Sequence, residues 1–155
     1  MTDFKKYKDV VYSIIGSAMK VHSELGFGLL EPIYNESLHL ELLEQGINSE
    51  TDVTIPCFYK NYRLEKSYRM DFVVGDIVVE LKSTNDLIPA HRAQLFNYLR
   101  LTKKPVGLLI NFGKKSLQGE RYAYIEETNE CVLLDKNMNL LYEEDVDFDF
   151  SDDEL

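Results

Sequence analysis

"RMDFVVGDIVVELKS", residues 69–83, holds two apolar runs on either side of Gly75-Asp76, with Asp71 and Glu80 interrupting them and Lys82 close behind. Alternating β-branched residues around a two-residue Gly-Asp link predict an antiparallel hairpin, and glycine at the first central position fits a type II′ turn. The turn fixes the register: Val74 faces Ile77, and the pairs run back from there. One face then carries Met70, Phe72 and Val74 with Ile77, Val79 and Leu81, wholly apolar and ready to pack on a helix. The other carries Arg69, Asp71 and Val73 with Val78, Glu80 and Lys82. Asp71 falls opposite Glu80, with Cβ atoms expected about 5 Å apart.

Facing carboxylates repel, and more strongly where the sheet excludes water. A divalent cation relieves the repulsion, since it prefers hard oxygen ligands and leaves positions open for water and phosphate. Lys82, on the same side, can steady developing negative charge. The plainer reading is a surface ion-pair ladder in which Arg69 and Lys82 neutralise the acids.

Around the hairpin the periodicities predict an α/β domain. Val10, Ile14, Ala18, Val21 and Leu25 recur at helical spacing and mark a first helix over about 8–25, stopped by "GFG" at 26–28. A second helix is expected from about Glu31 to Gln45, with Pro32 in its first turn and Gly46 closing it. "VTIPCFY", "YRMDFVV", "IVVELK" and "VGLLINF" read as strands, with turns at Lys60-Asn61 and Gly75-Asp76. "LIPAHRAQLFNYLRLTKKP" supplies one helix between the last two, a parallel crossover. "RYAYIE" and "CVLLD" are expected to add one or two edge strands.

The chain has 155 residues, 45% of them hydrophobic, enough for one domain with a core. No apolar run approaches the roughly 18 residues that a membrane helix needs, and no apolar leader is visible. Cys57 and Cys131 lack metal-site spacing and read as reduced thiols of a cytoplasmic protein. The net charge of −10 is uneven: residues 143–155 hold eight acids and no base, leaving −2 over 1–142. We therefore expect a domain over 1–142 and an acidic, flexible tail over 143–155. The tail either keeps the protein soluble or lies over a basic groove with Phe148 and Phe150 as anchors.

Asp71, eight intervening residues and Glu80-Leu81-Lys82 resemble the D…ExK core of the PD-(D/E)xK nuclease superfamily. "QLFNY" places Gln94 and Tyr98 at the spacing of the QxxxY motif in the RecB-like branch. "GLLEPIY" gives Gly28, Glu31 and Tyr34 at the spacing of the small bacterial GxxExxY proteins. The resemblance spans about residues 8–125 and implies a PD-(D/E)xK nuclease-like core, a mixed central sheet flanked by helices. Met70 stands where the superfamily's name has proline.

The resemblance further implies that Asp71 and Glu80 bind Mg²⁺ or Mn²⁺, with the Leu81 carbonyl and Glu31 as further ligands. Lys82 becomes the catalytic lysine, and Gln94 and Tyr98 touch the site or a substrate phosphate. The implied reaction is phosphodiester hydrolysis in nucleic acid, with DNA the expected polymer. The competing expectation is a catalytically silent module with the same fold that acts through a protein partner; a homo-oligomer is also left open. His22 is expected to pack, His91 to share the site face or point away, His39 to face solvent. Tyr34 is expected either to pack or to bond a ligand. Arg69, Lys103-Lys104 and Lys114-Lys115 are candidates for phosphate contact, against plain solubility.

Overall fold

The structure, a computed structural model, describes residues 2–142. The acidic tail expected over 143–155 lies outside the described residues. Six strands form one sheet in sequence order: β1 (Glu50–Tyr59), β2 (Tyr62–Val74), β3 (Ile77–Lys82), β4 (Val106–Asn111), β5 (Gln118–Ile125) and β6 (Glu130–Leu134). Only β3 and β4 run parallel, joined by helix α3 (Pro89–Thr102); the other neighbours are antiparallel. After a short 3₁₀ turn at Phe4–Tyr7, helices α1 (Lys8–Leu25) and α2 (Glu31–Glu44) precede the sheet. The architecture is the expected one: α/β, a mixed sheet flanked by helices.

Two apolar layers hold it. Ile14, Ala18 and Val21 of α1 and Tyr34, Leu38 and Leu42 of α2 pack with Phe72, Val74, Ile77, Val79 and Leu81 on one sheet face. Leu95, Tyr98 and Leu99 of α3 pack with Val73, Val78 and Leu109 on the other. Strands β3 and β4 are buried on both faces, which is why they read as unbroken apolar runs.

The hairpin register is as expected near the turn, with Val74 opposite Ile77, Val73 opposite Val78 and Phe72 opposite Val79. Gly75 takes φ +57° while Asp76 stays out of the left-handed region, as a type II′ turn requires. The ladder then stops. Met70 joins the α3-side core with Ile55 and Tyr98, on the face opposite to the one expected. Alternation breaks at Asp71, whose amide bonds the Glu80 side chain and which, with the facing Asp52 at φ +52°, drops out of the β1–β2 ladder. Arg69 accordingly pairs with Thr54 of β1 and has no ladder partner in Lys82.

The two added strands divide: β5 is an interior strand between β4 and β6, buried from Gly119 to Tyr124, and of the two β6 alone lies at a sheet edge. The charge of β5 is neutralised internally, where Arg92 Nε and Nη2 both donate to Glu120 at 2.8 Å and Tyr122 donates to the same carboxylate. Helix α3 ends at Lys103, left-handed at φ +59°, before Pro105 is reached. Among the described residues no helix is long and apolar enough to cross a membrane.

Candidate active site

The two acids meet where the β2–β3 ladder breaks. The Asp71 amide donates to Glu80 Oε1 at 2.8 Å, and the Leu81 amide donates to Asp71 Oδ2 at 2.9 Å. Each carboxyl thus replaces a missing ladder bond of the opposite strand. Glu80 is only 3% exposed, so its charged form lacks water and, among the described residues, a cationic partner at ion-pair distance. Burial first, and the Asp71 charge second, push the Glu80 carboxyl well above the usual carboxylate range. Burial also raises Asp71, against the Leu81 amide bond, which lowers it. The hydrogen bond between the two carboxyls raises Glu80 and lowers Asp71, so of the two Glu80 keeps a proton more readily.

Lys82 follows on the α3 side of the sheet. Its Nζ donates to Gln94 Oε1 at 2.8 Å, and its charge acts on Asp71, Glu80 and Glu31. Gln94 also bonds Tyr98, one helical turn on. Tyr98 is buried, and desolvation and the Glu80 charge push its phenol up to about 12, so it stays a neutral hydrogen-bonding group. The Lys82 carbonyl accepts from Phe112 on the β4 side. Backbone groups alternate along a strand, so the Leu81 amide and carbonyl turn toward β2 and Asp71.

Glu31 opens α2, half-buried, and is raised by burial and by Asp71 while Lys82 pulls it the other way. The loop that delivers it is pinned by Tyr34. That ring is fully buried and stacked on Phe112 at 4.5 Å; its hydroxyl donates to the Gly26 carbonyl at 2.7 Å and accepts from the Leu29 amide at 3.1 Å. Gly28 sits at φ +87°, which a side chain would strain. Glycine, acid and tyrosine therefore form one device: a loop turned by Gly28, fastened by Tyr34 and ending on Glu31.

Sequence reading passed over two further residues that hold the site. Ser83 Oγ donates to the Leu29 carbonyl at 2.5 Å, tying the segment after Lys82 to that loop. Asn111, fully buried, accepts from the Thr84 and Gly113 amides and donates to the Thr84 carbonyl, each at 3.0 Å. A buried asparagine ending an apolar strand was the available signal.

The histidines divide. His22 packs near Phe112 and donates to the Lys114 carbonyl, as expected of a packing residue. His91 Nδ1 accepts the Ile88 amide and is lowered by burial and then by Lys82, so its ring borders the site. His39 is half-buried and bonds Ser49 Oγ at 3.2 Å, contrary to the solvent-facing position expected, because β1 closes over it. The candidate lysines are largely engaged: Lys103 with Tyr124, Lys104 with the Gly75 carbonyl, Lys114 with Asp86.

Asp71 opens into a cleft of about 370 Å³ lined also by Asn35, His39 and Asp52. A larger hollow of about 560 Å³ lies elsewhere, beside Arg92 and Tyr122, whose polar groups are already joined to Glu120. The donor set at Asp71 and Glu80 fits a hard divalent cation: every donor is a carboxyl oxygen, and the raised Glu80 carboxyl is the kind of group a cation converts to its ionised form. Among the described residues no three acidic, histidine or cysteine side chains already converge as a metal cluster, because both carboxyls are turned onto backbone amides.

A family model for the PD-(D/E)XK nuclease superfamily matches residues 8–122. None of the curated proteins compared matches significantly. The crystal structure of SSO0001 is similar over 80% of this chain, with a TM-score of 0.50 and 21% identity, and the chain spans 63% of that structure's length. At that identity the likeness concerns the fold. The helix–hairpin–crossover core containing Asp71, Glu80 and Lys82 lies wholly inside the matched span, and the chain belongs to the PD-(D/E)XK nuclease superfamily.

Proposed function

We propose that the protein is a metal-dependent nuclease that hydrolyses phosphodiester bonds, with DNA the expected polymer. The observation that carries this reading is the Asp71–Glu80 pair: a half-buried and a buried carboxyl, each bonded to a backbone amide of the opposite strand, within reach of the Lys82 charge and with no cation at ion-pair distance among the described residues. The Gly28, Glu31 and Tyr34 spacing and the Gln94 and Tyr98 spacing place it, on our reading, with the GxxExxY and RecB-like groups.

Asp71 and Glu80, with the Leu81 carbonyl and Glu31 as further donors, would hold Mg²⁺ or Mn²⁺, which when bound activates water and polarises the phosphate. Lys82 brings its ammonium to the substrate side of this pair and stabilises negative charge that grows on the phosphate oxygens. Gln94 holds that ammonium through Oε1 and so removes the freedom of a four-carbon stem. Tyr98, kept neutral, fixes Gln94 from below. Glu31, half-buried at the start of α2 and electrostatically linked to Asp71 and Lys82, would complete the oxygen donors from the helix side.

The test is cleavage of single- and double-stranded DNA and RNA in Mg²⁺ or Mn²⁺ by wild type, Asp71→Asn, Glu80→Gln and Lys82→Ala. Loss of at least about a hundredfold in each variant is expected. Cleavage equal in all four proteins marks a contaminant and ends the reading. A wild type that binds nucleic acid and never cleaves it returns the silent binding module.

A further inference from the structure

The β1–β2 hairpin is much longer than the fold needs. From Tyr62 to Arg69 every residue of β2 is exposed, and this stretch pairs with β1 alone, because β3 begins its ladder only at Phe72. The result is a two-stranded ribbon about 20 Å long projecting from the site. A solvent-facing ribbon ordinarily carries polar residues. This one is rich in exposed rings: Phe58, Tyr59 at 63%, Tyr62 at 75%, and Tyr68.

The rings are placed by register. Tyr59 pairs with Tyr62 at the tip and Ile55 with Tyr68 at the base, the base pair lying on the α3 side where Ile55 is buried. Between them the ladder shifts, with Leu64, Glu65 and Lys66 set against Cys57. Tyr68 is the innermost of these rings, edge-on to Tyr98 with ring centroids 5.8 Å apart. The ribbon thus leads from the tip tyrosines to Tyr68, whose ring meets Tyr98 and through it Gln94 and Lys82 of the candidate site.

Charge points the same way. Residues 59–69 contain Lys60, Arg63, Lys66 and Arg69 against one acid, Glu65, in a chain whose net charge is −10. Lys60 lies over the Tyr59 ring, 5.4 Å from its centroid. Arg63, Lys66 and Arg69 meet no carboxylate within ion-pair distance among the described residues. A ribbon about 5 Å wide across its backbones lets side chains from both faces reach one polymer lying along it. Repeated anionic groups alternating with flat rings are what such a surface recognises, and stacking requires bases that are unpaired.

We propose that the β1–β2 ribbon is a single-stranded nucleic-acid track, with Tyr59, Tyr62 and Tyr68 as stacking platforms and Lys60, Arg63, Lys66 and Arg69 as phosphate contacts, leading a strand into the Asp71–Glu80 site. The inference rests on the hydrolase reading for its endpoint only. Paired bases cannot lie on tyrosine faces, so a duplex meets this surface through its cations alone.

The experiment is fluorescence anisotropy in EDTA, where nothing turns over. The probes are labelled oligodeoxyuridylate and oligouridylate of about 15 nucleotides, the upper range of single-strand sites, and a duplex of the same length. Wild type binds the single strands more tightly than the duplex, and the tighter of the two single strands identifies the sugar. Tyr59→Ala with Tyr62→Ala weakens single-strand binding about tenfold or more without lowering the melting temperature, since both rings are exposed. Arg63→Gln with Lys66→Gln lowers the slope of log affinity against log salt by about 0.7 for each phosphate that is no longer neutralised. Unchanged single-strand affinity in the tyrosine variant overturns the proposal, as does a duplex preference. So does a wild-type dimer that the tyrosine substitutions dissociate, which would make the ribbon an interface between copies. A wild type that binds single strands by these residues yet cleaves nothing refutes the hydrolase reading and leaves the track.

Discussion

Asp71 and Glu80 replace each other's missing ladder bonds: the Asp71 amide donates to the Glu80 carboxyl at 2.8 Å, and the Leu81 amide beside Glu80 donates to the Asp71 carboxylate at 2.9 Å. The arrangement holds two acids at close quarters, Glu80 buried and Asp71 half-buried, and favours the protonated form of Glu80.

Stability without metal should therefore fall as pH rises. Both carboxyls are raised in the folded state, so their contribution is complete below the unfolded carboxylate pKa, about 4.3 for glutamate, and is lost as pH climbs through the folded values. In EDTA, Tm should drop between pH 5 and pH 8 (about the span of this titration), and Mg²⁺ should shrink the drop. Thermal melts across that range check it.

Glu80→Gln should raise the metal-free Tm at the alkaline end. Glutamine keeps the acceptor for the Asp71 amide and donates to Asp71 as the protonated acid does. A gain of about 1 kcal/mol corresponds to about 3 °C in a chain of this size. A fall of several degrees would show instead that charged Glu80 is a structural partner.

Tyr34→Phe should cost about 1–3 kcal/mol in urea denaturation, because the Gly26 carbonyl and the Leu29 amide lose their partner while the ring's packing on Phe112 survives. Nucleic-acid cleavage should fall further than stability alone explains, since the loosened loop carries Glu31.

Gln94→Leu should lower cleavage about tenfold to a hundredfold at nearly unchanged Tm, by releasing the Lys82 ammonium. The loss should appear in kcat more than in KM. Equal losses in stability and activity would make Gln94 a packing residue.

Asn111→Ala should be the most destabilising of these changes. It strips partners from both backbone groups of Thr84 and from the Gly113 amide at a fully buried position. Chemical denaturation of the soluble fraction measures it.

Much of the fold and site was legible because short-range rules decide it. The stripe from Val10 to Leu25 gives a helix whose observed bounds are Lys8–Leu25. A two-residue turn fixes Val74 opposite Ile77, so Asp71 and Glu80 had to approach each other. What escaped depends on neighbours distant in sequence. Met70 changed faces because Asp71 dropped out of the β1–β2 ladder, which alternation cannot foresee. β5 read as an edge because Glu120 and Arg121 look like surface residues until Arg92 is brought over Glu120 by α3. The ribbon from Tyr62 to Ser67 carries no apolar alternation, so its length and row of rings were invisible. Tyr34 stood out by spacing, but its role in fastening the Gly26–Leu29 loop appears only in three dimensions.

Calorimetric titration of the metal-free protein with Mn²⁺ tests the central claim most directly. Run in two buffers of different ionisation heat near pH 7, it should show saturable binding with release of about one proton per ion, as the cation converts the raised Glu80 carboxyl to its ionised form. Both binding and proton release should vanish in Asp71→Asn and Glu80→Gln. Undiminished binding in those variants, or binding by wild type with no proton released, contradicts a cation site at this pair.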